Sequence, residues 1–155
     1  MNEQSGSKTV SKMSLNEMLE PFKDLRFAVL ATSDEDGPYA SLVAFAMTPE
    51  RHTLVFATAM ATNKYRNIKS RPAVSILIDN RSQQANDLLE AQAVTLLGTT
   101  EVLTTETQKA KYRGMFTGRH PELAAFVDEA GTALVAVTIR QAIHVMGFQG
   151  VSYWP

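Results

Sequence analysis

Leu54-Val55-Phe56-Ala57-Thr58, then Ala59-Met60-Ala61, then Thr62-Asn63-Lys64-Tyr65-Arg66-Asn67-Ile68-Lys69-Ser70 is the passage on which the fold turns. Its first part is β-branched and aromatic, the composition of a buried strand. Small residues follow, and then a hydroxyl residue stands where a helix N-cap belongs. Tyr65 and Ile68 fall on one side of that helix, and Arg71-Pro72 ends it. A strand-loop-helix junction aims backbone N–H groups and the positive end of a helix dipole at one point. The junction lies in a stretch, Arg51 to Ile78, that holds no acidic residue and carries Arg51, Lys64, Arg66, Lys69 and Arg71. Two readings of these cations stand side by side. One is a solvated basic helix face. The other is a phosphate site built from Thr58, Thr62 and Lys64, with Arg66, Lys69 and Arg71 as surface charge.

Working outward from the junction, β-type runs cover 27–32, 39–47 and 53–58, separated by Asp34-Glu35-Asp36-Gly37-Pro38 and Thr48-Pro49-Glu50-Arg51-His52. Both separators are turn chemistry, so the three runs form an antiparallel meander. Another strand is expected over 73–79, followed by a polar loop over 80–87. The run 91–103 is long for one strand, and Gly98 in its middle marks a bulge or bend. Helices are expected over 105–117 and 121–127, and the last two strands over 132–139 and 143–148. Ser14 with Glu17 has capping-box spacing and opens a short helix over 14–24, interrupted at Pro21. The count is six or seven strands with helices at the connections. Strand and helix do not alternate regularly, which argues against a doubly wound parallel sheet. A mainly β, α+β architecture follows: a small antiparallel barrel with peripheral helices, closed because closure removes exposed edges.

The chain has 155 residues, enough for one domain that buries roughly 70% of its unfolded surface. A polar lead-in (1–13) is expected to precede a single domain (14–155). The apolar fraction of 45% excludes a wholly disordered chain. The formal net charge of −1 lacks the basic excess of a nucleic-acid binder. With no cysteine there is no thiol nucleophile and no thiolate metal site. The apolar run Leu42 to Met47 falls far short of the ~20 residues of a membrane helix, and the N-terminus has no signal-peptide core. A cytoplasmic location and no membrane partner are expected. His52, His120 and His144 are widely spaced and suggest no metal site.

In order and spacing the chain resembles the pyridoxamine 5′-phosphate oxidase-like flavin proteins, the FMN-binding split barrels. Leu30-Ala31-Thr32 with Asp36-Gly37-Pro38-Tyr39 is similar to the family's opening hairpin. Ser41 to Ala46 is similar to the strand that lies against the flavin. Leu54 to Thr58 with Lys64 resembles the phosphate segment. Asn67-Ile68 with Arg71-Pro72-Ala73-Val74-Ser75 resembles its continuation, and Gln92-Ala93-Val94 with Gly98 resembles a later strand. Arg119-His120-Pro121 and His144 to Phe148 resemble the branch containing haem-utilisation proteins.

The resemblance implies a split antiparallel barrel that dimerises with FMN at the subunit interface. By residue match, Ser41, Leu42, Val43 and Ala44 would contact the flavin. Ala57, Thr58 and Thr62 would lie beside its phosphate, Asn63 and Lys64 would bind it, and Gln92 would reach the ring. Ser41 and Asn63 stand where the oxidases carry arginine, and the chain ends at Trp154-Pro155 without their C-terminal Trp and Arg segment. Pyridoxamine phosphate oxidation itself is therefore not expected. The function implied is an FMN-dependent oxidoreductase for an unidentified small molecule. The alternatives are a non-catalytic flavin or haem carrier, with His120 or His144 as axial ligand, and a deazaflavin-dependent reductase.

Overall fold

Strands form where apolar side chains alternate with polar or small ones, as the computed structural model shows for residues 11–83, 88–148 and 150–155. In chain order they are β1 (Ser11–Lys12), β2 (Phe27–Asp34), β3 (Gly37–Met47), β4 (Thr53–Ala59), β5 (Ala73–Asp79), β6 (Gln92–Val102), β7 (Thr132–Met146) and β8 (Gly150–Trp154). Helices α1 (Leu15–Leu19), α2 (Asn63–Ser70), α3 (Glu106–Arg119) and α4 (Ala124–Asp128) occupy the connections. Strands run in the order β7-β4-β3-β2-β5-β6, and β6 pairs back onto β7. Six antiparallel strands thus close a barrel. Two outer strands extend it: β8 pairs antiparallel with β7, and β1 pairs parallel with β8. Ser11 and Lys12, in the expected lead-in, are those two β1 residues. Residues 1–10 of that lead-in and 84–87 of the expected polar loop lie outside the described residues.

The barrel interior is filled by Leu30, Leu54, Phe56, Ile76, Leu96 and Val135, all fully buried. Leu15, Met18 and Leu19 of α1, with Phe22 just beyond it, join the same core. A helix of five residues is too short to stand alone. Each of these side chains contributes ~1.5–3 kcal/mol on burial, which holds the helix in place. Ser14 and Glu17 form the capping box that the sequence suggests. On the outside of the barrel, Phe116 of α3 and Val127 of α4 pack against Val55, Leu134 and Ala136. The helices therefore cover β4 and β7. The outer face of β3, β2 and β5 carries exposed Leu42 and Phe27. Among the described residues no helix is long and apolar enough to cross a membrane.

Two strand boundaries differ from the sequence expectation. The runs 132–139 and 143–148 are one strand, β7, and the final strand is β8 at Gly150–Trp154. Arg140-Gln141 looks like a turn because two polar residues stand together. In fact the register shifts there: Leu97 pairs Gln141 while Gly98 pairs Ile139, so Arg140 is the extra residue of a bulge. A bulge turns successive side chains outward without ending the strand. Gly98 is required opposite it, because a Cβ there would lie 2.7 Å from the Thr138 carbonyl oxygen. The first hairpin is also tighter than expected. Asp34 closes it by accepting from the N–H groups of Asp36 (2.7 Å) and Gly37 (3.1 Å), and Gly37 takes a φ of 126°.

Candidate functional site

The barrel splits where β3 leaves β4. These strands pair only from Phe45↔Phe56 to Met47↔Leu54. Continuing that register would set Val43 opposite Thr58 and Ser41 opposite Met60, yet β3 stays with β2 alone, through Ser41↔Leu30 and Ala40↔Ala31. Helix α2 begins at this opening. Its position is fixed from inside by Asn67, whose Nδ2 donates to Thr32 Oγ1 at 3.0 Å with both residues buried.

The turn from β4 into α2 is built from hydroxyls. Thr62 is the N-cap: its Oγ1 accepts from the Tyr65 N–H at 3.3 Å and donates to the Ala59 carbonyl at 2.9 Å. Thr58 Oγ1 lies 3.0 Å from Thr62 Oγ1. Both hydroxyls are thus engaged in holding the turn. Among the described residues the turn leaves free the N–H groups of Asn63 and Lys64, at the positive end of the helix dipole. Among the described residues the Lys64 ammonium has no carboxylate or hydrogen-bond partner. Neighbouring Asn63 receives a hydrogen bond from Arg66 through its Oδ1. On the opposite edge of the split, Ser41 Oγ is buried with no partner. Such an orphan costs ~1–3 kcal/mol unless something bonds to it.

The β4–α2 turn thus joins Thr58 and Thr62, with Asn63 and Lys64 next in the chain, and Ser41 lies on the stretch of β3 that has parted from β4. Ala57, on β4, turns outward into the layer under α3, as does Ala44. Leu42 points out from the barrel and is 66% exposed. Val43 is buried in the barrel core. Gln92 is not part of this cluster. It starts β6, pairs with Met146, and its Oε1 accepts from His144 Nε2 at 3.0 Å. Two residues that the sequence singles out less clearly, Thr32 and Asn67, hold α2 in place. Their signal is a polar side chain on an otherwise apolar face.

The histidines are structural in this arrangement. His120 is buried at the end of α3. Its Nε2 donates to the Phe45 carbonyl at 2.7 Å, and its Nδ1 accepts from Arg26 at 3.2 Å. Arg26 in turn pairs with Glu122. Phe45 is the last β3 residue paired with β4, so His120 fastens the strand where the split begins. Burial pushes the His144 imidazole below its ordinary pKa, which keeps it neutral. Trp154 packs on the core and meets the His52 ring edge-on at 5.4 Å.

The family model described as pyridoxamine 5′-phosphate oxidase matches residues 15–146. No curated protein matches the chain. Among solved structures, a heme binding protein from Mycobacterium smegmatis is similar over 94% of this chain, at 20% identity and a TM-score of 0.78. The chain spans 59% of that protein's length. HutZ, the heme storage protein from Vibrio cholerae, is similar at 18% identity and a TM-score of 0.71, over 86% of this chain and 95% of its own. A FAD-binding protein from Mesorhizobium loti is similar at 17% identity and a TM-score of 0.69, over 85% and 94%. At these identities the likeness is one of fold.

Proposed function

Because the chain belongs to the pyridoxamine 5′-phosphate oxidase family, we propose that it binds FMN at the split and is a flavin-dependent oxidoreductase for a small molecule. The observation that carries this is the start of α2, where among the described residues Lys64 and two N–H groups are unpartnered in an acid-free segment; the orphaned Ser41 hydroxyl on the diverging part of β3 supports it. A phosphate monoester carries close to two negative charges and accepts several hydrogen bonds. Lys64 supplies one positive charge, and the helix terminus and Ser41 Oγ supply donors. The bound flavin would supply the hydride chemistry. The chain's own part is to orient it and set its electronics.

The same proposal includes a second copy of the chain. Helices cover β4 and β7, while Phe27, Val29, Leu42 and Leu77 line an open hollow on the bare face of β2, β3 and β5. Apolar surface of this kind favours a partner. Gln92, remote from α2 within one barrel, would then reach the flavin only by contribution across that interface.

A haem carrier is the alternative that the names of two similar proteins support. It would not run through His120, both of whose ring nitrogens are engaged. The test is direct. The purified protein is examined by mass spectrometry for a bound small molecule, stripped, and titrated separately with FMN, a deazaflavin and haem. Saturable quenching of FMN fluorescence at one site per chain supports the proposal. Saturation by haem or deazaflavin with none by FMN replaces it with the corresponding alternative. Sedimentation of wild type against Leu42→Asp tests the dimer, which should dissociate in the variant.

A further inference from the structure

Away from the split, a cavity of about 450 Å³ opens between α1, the β3–β4 turn and α3. It lies within the ~300–1,000 Å³ range of small-molecule sites. Its walls are Leu19, Phe22, Phe45, Met47, Ile78 and Met115, with two methionines that adapt to an apolar guest. Two polar groups of the wall are already engaged. The Phe45 carbonyl is taken by His120, and Thr48 Oγ1 both donates to Thr53 O (3.4 Å) and accepts from Thr53 N (3.3 Å). Three cations, Lys23, Arg51 and Arg119, complete the lining, which contains no carboxylate.

These cations are not equivalent. Glu20 pairs with both Lys23 (3.0 Å) and Arg51 (2.7 Å), and Asp24 also acts on Lys23. Among the described residues Arg119 has only neutral partners: its Nη2 donates to the carbonyls of Lys23 (2.9 Å) and Leu25 (3.1 Å). The guanidinium is thus fixed at the cavity with its charge uncompensated and further N–H groups unused. A planar guanidinium matches a carboxylate, and Phe22, Phe45, Met47 and Met115 offer an apolar surface beside it.

We propose that this cavity binds an amphipathic monocarboxylate, its carboxylate on Arg119 and its hydrocarbon among Phe22, Phe45, Met47 and Met115. The site is distinct from the split, and the proposal does not depend on FMN. Calorimetric titration of the full chain compares octanoate with octan-1-ol, which shares the tail but lacks the charge. Octanoate should saturate one site per chain and bind about tenfold or more tightly than the alcohol. Arg119→Gln should bring the two affinities together, and Met115→Trp, which fills the cavity, should abolish both. Absence of saturation by octanoate overturns the proposal, as does equal affinity for the two probes on the wild-type protein. So does undiminished octanoate binding in a folded Arg119→Gln variant. FMN titration of the same sample reads the other site, so the two failures are distinguishable.

Discussion

Replacing Lys64 with Gln should move stability and ligand affinity in opposite directions. The ammonium stands in the first turn of α2, at the positive end of the helix dipole, with no carboxylate beside it. Such a placement is unfavourable by ~0.3–1 kcal/mol at an exposed helix end. Gln keeps nearly the same helix propensity and breaks no ion pair or side-chain hydrogen bond, because Lys64 makes neither among the described residues. The ligand-free protein should therefore unfold at a temperature roughly 1–4 °C higher, the scale expected for a domain of this size. Affinity for FMN should fall by ~1.5–3 kcal/mol, or about 10- to 150-fold, since a charge-assisted bond to the phosphate is lost. Fluorescence-quenching titration gives the affinity, and thermal unfolding of stripped protein gives the stability. If stability drops in the stripped variant, Lys64 has a structural partner and the argument fails. If FMN affinity stays within error of wild type, the phosphate does not lie at this helix end.

Three further outcomes test the frame around the site. Asn67→Ala leaves Thr32 Oγ1 without its donor inside the barrel and should cost ~1–3 kcal/mol in urea unfolding, with FMN affinity reduced because α2 is no longer held. A mutant with unchanged stability would mean that the Asn67–Thr32 bond is not what fixes the helix. Gly98→Ala sets a Cβ 2.7 Å from both the Thr138 carbonyl oxygen and Val137 Cγ1, and overpacking of this kind costs ~1–3 kcal/mol; a melting temperature equal to wild type would show that the bulge yields. His144 titrates below its ordinary value of 6.5 in the folded chain, so the unfolded state binds its proton first as pH falls. Stability contributed by the neutral imidazole is complete above about pH 6.5 and is lost as pH drops below it. His144→Gln should flatten that part of the stability–pH curve, and an unaltered slope would assign the effect to another group.

The barrel was legible in the sequence because its strands alternate and its turns carry Asp, Gly and Pro where the chain reverses. The Ser14–Glu17 capping box and the Thr62 N-cap were equally local, and local signals survive folding unchanged. What escaped was decided by pairing between distant segments. Arg140-Gln141 has the composition of a turn, yet β6 holds it in a continuous strand, since two long strands gain more from an unbroken ladder with one bulge than from a break. The site was legible to the same extent. Thr58 and Thr62, four residues apart in sequence, meet in the turn that starts α2, with Asn63 and Lys64 following directly. Ser41 lies where β3 has parted from β4, beyond Phe45, a divergence that no run of residues encodes by itself. Contacts from distant segments flank it: His120 bonds the Phe45 carbonyl on the edge that faces β2, and Asn67 ties α2 to β2. Both contacts are buried and join segments 35 and 75 residues apart, so neither can be read from a local run of residues.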